Sequence, residues 1–182
     1  MHETVGAQPA DDPVEFYLSV LADKTGSLIS AAAQAGVLFS DAPAEYERPV
    51  LEFGERIGVA FQLLDDVIDL SADPGETGKV PGTDLRAGVP TMPYLLLDRS
   101  SDPASVALKD AIDDGVARIA DGADPAILDD GLAQLREHPA TAETRRLAVE
   151  WSAEAVAALE PLPEGAVRDA LTRFAQVVVV RS

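Results

Sequence analysis

The sequence contains no cysteine. That absence excludes a disulfide scaffold and every cysteine-based zinc or iron–sulfur site. Histidine occurs only at His2 and His138, which excludes a multi-histidine metal site as well. Any metal would have to be held by oxygen, and oxygen ligands favour Mg²⁺, Mn²⁺ or Ca²⁺. Lysine is almost as scarce, occurring only at Lys24, Lys79 and Lys109. Aromatics make up 5% of the residues, so the apolar mass is carried by Ala, Leu and Val, which suits close packing of helices. No apolar run approaches the length needed to cross a membrane. The polar start, Met1 to Pro9, lacks the apolar core of a signal peptide, so a cytoplasmic location is expected.

What the chain does have is acid. Thirty-two Asp and Glu against 14 Lys and Arg give a formal charge of −18. A field of that sign repels nucleic acid and anionic membrane surfaces. An anionic substrate would need a cation to bridge it to such a protein, which makes the few lysines informative, although a lysine-poor genome explains their scarcity equally well. With 47% apolar and 25% charged residues over 182 positions, the chain is long enough and apolar enough for a globular core.

Punctuation along the chain is helical. Asp12-Pro13 with Glu15 combines an N-cap, a proline at the first helical position and a capping-box acid. The helix it opens is expected to run to about Ala35, with Gly36 as its stop. Asp41 and Pro43 open the next segment, and Pro49 either kinks it or marks its true start. From Val50 to Leu70, Ile57, Phe61, Leu64 and Ile68 recur at helical spacing, while Gly54 and Gly58 lie four apart on one face. Ser71 to Gly88 holds four glycines and two prolines and is the one long irregular stretch, a kind of loop that is usually functional or mobile. Thr91 and Pro93 reopen a short helix through Leu97, and Asp102-Pro103 and Asp124-Pro125 start two more. Thr141 begins another, with Leu147, Trp151, Ala155 and Ala158 on one stripe, and a last helix from Glu164 ends buried at Val177–Val180. No strand-like alternation and no internal repeat interrupt this pattern. The expectation is one all-α domain over residues 1–182, a helical bundle.

The chemistry concentrates at Asp65-Asp66-Val67-Ile68-Asp69. Asp65 and Asp69 stack on one helix face, and Asp66 lies about 100° around the helix from Asp65. At about 5 Å and an effective dielectric near 20, two such charges repel by roughly 3 kcal/mol. Aspartate is also a poor residue for a helix interior. Three of them framed by Leu63, Leu64, Val67, Ile68 and Leu70 are unfavourable unless a cation is bound, and Asp73 adds a fourth acid one turn on. Mg²⁺ typically takes one or two carboxylates, several waters and substrate phosphate oxygens, which this cluster suits. The spacing alone also fits a solvated acidic face, since pairs such as Asp113-Asp114 and Asp129-Asp130 occur elsewhere.

The residues around the cluster narrow the choice. Phe53-Gly54, Gly58-Val59-Ala60-Phe61-Gln62-Leu63-Leu64-Asp65-Asp66-Val67-Ile68-Asp69, then Gly78-Lys79-Val80-Pro81-Gly82-Thr83-Asp84-Leu85-Arg86 and Pro90-Thr91-Met92-Pro93, closely resemble the second aspartate-rich region of trans-isoprenyl (polyprenyl) diphosphate synthases. Upstream, Lys24-Thr25-Gly26-Ser27-Leu28 resembles the family's Lys-Thr segment, and Arg181 its C-terminal end. The resemblance implies the C-terminal half of an isoprenoid-synthase-type fold. It implies a Mg²⁺-dependent condensation of an allylic prenyl diphosphate with isopentenyl diphosphate. In that reading Asp65 and Asp69 hold Mg²⁺ and Asp66 supports them. Lys24, Gln62 and Lys79 act on the diphosphate or on the cation left behind, with Thr25 and Asp84 nearby. Asp84 orients Lys79 or a metal-bound water, and Phe61 lines the prenyl pocket. Trp151 and Tyr94 read as core, and His138 as a helix-terminal cation.

Two departures accompany the resemblance. The family's first aspartate-rich region has no counterpart here, because Asp11-Asp12 is followed by Pro13, and Val89 stands where many relatives carry lysine. The expectation is a fragment of a complete synthase, with a non-catalytic or half-site subunit of a heteromeric prenyltransferase as the alternative. Either would form a homodimer or pair with a missing N-terminal half, through the Gly54/Gly58 face or the Val67/Ile68 stripe.

Overall fold

The structure is a computed structural model that describes residues 12–71 and 80–180. Among the described residues every regular element is helical and none is a strand. The elements are α1 (Pro13–Leu21), a π-helical turn (Ala22–Gly26), α2 (Ser27–Phe39), a 3₁₀ turn (Ala44–Tyr46), α3 (Glu47–Ser71), α4 (Thr83–Arg86), α5 (Met92–Asp98), α6 (Pro103–Ala120), a 3₁₀ turn (Pro125–Leu128), α7 (Asp129–Glu137), α8 (Pro139–Ala158) and α9 (Ala166–Val180). No helix among the described residues is long and apolar enough to cross a membrane.

The sequence punctuation works as side-chain chemistry. Asp12 Oδ1 accepts from the Val14 and Glu15 N–H groups at 2.9 and 3.0 Å. Asp102 caps α6 through Ser105 N–H at 3.1 Å, and Asp124 caps the second 3₁₀ turn through Ala126 N–H at 2.9 Å. Each satisfies an N–H that the helix itself cannot. Gly36 is not a stop, because α2 continues to Phe39. The chain turns instead at Asp41, which takes a left-handed φ of 54°, a conformation that aspartate tolerates better than most residues. Pro49 sits in the first turn of α3, where its missing N–H costs nothing.

By packing, the chain divides into two compact units. One comprises residues up to Leu64 together with those from Arg146 onward, and the other runs from Asp65 to Arg145. The boundary falls inside α3 and again inside α8. In the first unit, α2 crosses α3 at its small residues. A Cβ on Gly54 would lie 2.5 Å from Ser30 Cα, and one on Gly58 would lie 2.5 Å from Gly26 Cα. Ser30 Oγ donates to the Leu51 carbonyl at 2.8 Å beside this crossing. The glycine face therefore packs against the chain's own α2 and its preceding π turn, not against a partner. Val67 is fully buried, and of that stripe only Ile68 is exposed.

In the second unit, Leu70, Leu85, Leu97, Leu108, Ile112, Leu128, Leu132 and Leu135 form one cluster. Along α8 the buried stripe is Thr144, Ala148, Ser152 and Ala155, continued by Leu159 just past its end and rotated from the expected one, with Leu147 and Trp151 half-buried at its edge. Small residues pack most closely, so they took the inner face. Val177–Val180 is helical, yet only Val178 is buried, while Val179 is half-buried and Val177 and Val180 are exposed.

Candidate metal–diphosphate site

The second half of α3 carries three aspartates with three different surroundings. Asp65 is exposed, Asp69 is half-buried and Asp66 is 4% exposed. Asp66 turns inward, where its Oδ2 accepts from the Met92 N–H at 2.9 Å. Met92 opens α5, and the N-cap residue Thr91 contributes no side-chain bond of its own. The middle aspartate of the motif thus caps another helix, and its negative charge faces the positive end of that helix dipole.

Asp69 meets the chain where it returns from the loop. The Gly82 N–H donates to the Asp69 carbonyl at 3.0 Å, and the Thr83 N–H donates to Asp69 Oδ1 at 3.3 Å. Gly82 makes this turn possible, since it holds a left-handed φ of 68° and a Cβ there would lie 2.5 Å from Leu132 Cδ1. The same turn brings in Asp84 at the start of α4. Burial pushes the Asp69 carboxyl above the usual range, and the charges of Asp84 and Asp65 push it the same way, against hydrogen bonds from the Asp84 and Thr83 backbone. Asp69 Oδ2 is buried and has no hydrogen-bond partner among the described residues, and the same holds for Thr91 Oγ1.

An orphaned carboxylate oxygen with two further acids raising its pKa is a site short of positive charge. The exposed Asp65 and half-buried Asp69 are the carboxylates that could hold a hard divalent cation there. No three acidic or histidine side chains converge on one point among the described residues.

The other sequence-predicted residues fall as follows. Phe61 and Gln62 lie one turn before Asp65 on α3, Phe61 exposed and Gln62 half-buried. Lys24 is exposed and Thr25 half-buried, both in the π turn that packs through Gly26 on Gly58. Single π turns occur frequently at functional sites. Asp84 is exposed beside Asp69. Lys79, Asp73 and Arg181 lie outside the described residues.

Tyr94 is half-buried and donates to Asp113 Oδ1 at 2.5 Å, with Lys109 2.6 Å from the other oxygen of the same carboxylate. Burial and that bond hold the phenol up at about 12, and the bond ties α5 to α6. His138 caps the start of α8, its Nδ1 accepting from the Ala140 N–H at 3.1 Å. Arg86 stands out in the sequence as a basic residue inside the motif of a strongly acidic chain.

Residues 3–122 match the family described as polyprenyl synthetase. The chain is 36% identical to a nonaprenyl diphosphate synthase of Mycobacterium tuberculosis over all of its own length and 52% of that protein. It is 33% identical to the octaprenyl diphosphate synthase of Escherichia coli over 92% of its length and 50% of that protein. A crystal structure of geranylgeranyl pyrophosphate synthase from Corynebacterium glutamicum, complexed with calcium and isoprenyl diphosphate, superposes with a TM-score of 0.82 at 32% identity. That match covers the whole of this chain and 54% of the other. The chain spans about half the length of the curated relatives it matches. The chain belongs to the polyprenyl synthetase family.

Proposed function

We propose that this chain supplies the second aspartate-rich half of a Mg²⁺-dependent prenyltransferase, a polyprenyl diphosphate synthase that joins an allylic diphosphate to isopentenyl diphosphate. The observation that carries the reading is Asp69 Oδ2, buried, without a hydrogen-bond partner among the described residues and crowded by Asp65 and Asp84. In the reaction the allylic C–O bond breaks and diphosphate leaves with the electron pair. The allylic carbon then bonds to the alkene of isopentenyl diphosphate, which loses a proton. Bound Mg²⁺ supplies electrostatic stabilisation to the leaving diphosphate.

The chain's own residues do the rest. Asp65 and Asp69 offer the oxygens that fix the position of the cation, and Asp66 holds the start of α5 behind them. Asp84 accepts from water or a lysine at the same edge. Lys24 and Lys79 supply fixed positive charge to the diphosphate, with Thr25 beside Lys24. Gln62 and Phe61, on the turn of α3 before Asp65, face the polar and prenyl ends of the substrate respectively.

A second reading is favoured by the half-length match and by the apolar residues left open in the first unit. Leu28, Leu38 and Phe39 on α2, and Val167, Phe174 and Val180 on α9, are between 46% and 89% exposed. Such a surface suits burial against the half that the relatives carry, whether in one polypeptide, in a separate subunit or across a homodimer.

The test is turnover of labelled isopentenyl diphosphate with farnesyl diphosphate and Mg²⁺, together with calorimetric titration of Mg²⁺ and pyrophosphate. Asp65→Ala is expected to weaken Mg²⁺-dependent pyrophosphate binding at least about a hundredfold, as the loss of a direct cation ligand should. Unchanged binding would remove the site assignment. Turnover that appears only when the upstream half of a relative is added would favour the half-site reading.

A further inference from the structure

Arg86 is a basic side chain placed beside a cluster of acids, yet in the structure it neutralises none of Asp65, Asp69 or Asp84. Its Nε donates to the Pro81 carbonyl at 2.8 Å. One terminal nitrogen donates to the Pro125 carbonyl, and the other lies 2.5 Å from Asp129 Oδ1. The side chain is 9% exposed. Three acceptors from three places in the chain therefore converge on one planar fork, an arrangement that a lysine could not reproduce.

The segment so held is the one that meets Asp69. Pro81 precedes Gly82 and Thr83, whose N–H groups reach the Asp69 carbonyl and carboxylate. Arg86 closes the four-residue helix α4 that begins with Thr83 and Asp84, and its own N–H donates to the Gly82 carbonyl at 2.9 Å. A single helical turn has no stability of its own. This one also holds Asp84 against Asp69, two like charges in a partly buried place. Something must keep it there, and the guanidinium joins the front of the turn at Pro81 to the start of α7 at Asp129, next to the buried Leu128.

We propose that Arg86 is a positioning residue. By fastening the Pro81–Asp84 turn to the Pro125–Asp129 segment, it sets the spacing of Asp84 and Asp69 and so tunes the site for a cation-bridged diphosphate. The inference rests on the proposed function for its second half, and the experiment separates the two.

The experiment measures amide hydrogen exchange at Gly82 and Thr83 in the full chain, alongside Mg²⁺-dependent pyrophosphate titration. In Arg86→Met the two amides are expected to exchange about tenfold faster while those of α6 stay within about twofold of the wild type. Pyrophosphate affinity in the presence of Mg²⁺ is expected to fall about tenfold. Arg86→Lys and Asp129→Asn each retain part of the fork's contacts and are expected to give about threefold faster exchange at the same amides. These milder variants decide the matter should Arg86→Met fail to fold.

Unchanged exchange at Gly82 and Thr83 in the folded variants overturns the proposal. So does an equal rise throughout α6, which would mark a purely structural role. If Asp65→Ala abolishes pyrophosphate binding while folded Arg86→Met preserves it, the tuning of the site is refuted although the turn is held. If Asp65→Ala has no effect, the functional reading falls, and the exchange rates still decide whether Arg86 fastens the turn.

Discussion

Helix α3 is built by two different rules. Up to Leu64 it is made for contact: Phe53, Ile57, Val59, Ala60 and Leu63 are buried to 1% exposure or less, and Gly54 and Gly58 let α2 and its preceding turn approach to backbone distance. From Asp65 the apolar face continues through Val67 and Leu70, but Asp65, Asp66 and Asp69 crowd the same two turns. There the chain carries like charges and a buried oxygen without a partner among the described residues. Local consistency is complete in the first part and broken in the second. Natural sequences break such rules chiefly where function requires it. The contrast therefore marks the second part of the helix as the part whose residues packing alone does not explain. It also predicts that mutations at the two ends will differ in kind, the first acting on stability and the second on ion and ligand binding.

The strongest test of the packing end is Gly58→Ala. The added methyl would sit 2.5 Å from Gly26 Cα and 2.7 Å from Gly26 N, both backbone atoms that cannot rotate away. The gain of about 1 kcal/mol in helix propensity is outweighed by the strain of forcing two backbones apart, for a net loss of about 2 kcal/mol. Thermal unfolding should then shift down by roughly 4–8 °C in a chain of this size. A midpoint at or above that of the wild type would show that the crossing is looser than the geometry states.

Asp66 tests whether the division follows the motif or the burial. It belongs to the acidic motif by sequence and to the packed interior by structure, where it caps α5. Asp66→Ala leaves the Met92 N–H without this acceptor and is expected to cost about 1.5 kcal/mol. Asp66→Asn keeps an oxygen in place and should recover most of that loss. If Asn and Ala were equally destabilised, the charge and not the cap would be what matters, and Asp66 would join its neighbours on the ligand side of the comparison.

The helical fold was legible in the sequence because the caps at Asp12, Asp102 and Asp124 are local chemistry, complete within three residues. Asp65 and Asp69 were legible for the same reason, since their stacking follows from helical spacing. What escaped depended on distant partners. The buried stripe of α8 was misplaced because it is made of Thr, Ala and Ser, whose hydropathy does not announce an inner face. The partner of Gly54 and Gly58 is not legible locally, because nothing near them in sequence names Gly26 and Ser30. The inward turn of Asp66 and the fork of Arg86 answer to residues 26 and 43 positions away. Gly36 misled for a different reason: a glycine permits a helix to stop but does not require it.

The smallest effect is the most pointed, because it changes the sign of what an acid does to stability. Burial and the charges of Asp84 and Asp65 raise the Asp69 pKa in the folded chain. A raised carboxyl binds more protons folded than unfolded between the two pKa values, so stability falls as pH rises through that window and stays lower above it. Ionised Asp69 therefore works against the fold at neutral pH when no cation is present. Asp69→Asn keeps the acceptor for Thr83 and removes the charge. It should stabilise the metal-free chain at pH 7 by less than about 1 kcal/mol, since solvent screens a half-buried group. That gain should shrink as the pH is lowered through the raised pKa of Asp69, where the wild type loses the same charge by protonation. It should vanish or reverse on adding Mg²⁺ and pyrophosphate, because a ligand that binds only the folded wild type stabilises it by mass action. Denaturant titrations of both proteins at pH 7 and at mildly acidic pH, with and without Mg²⁺ and pyrophosphate, measure all three changes. A variant less stable than the wild type in metal-free buffer at pH 7 would mean that Asp69 belongs with the packing end of α3 after all.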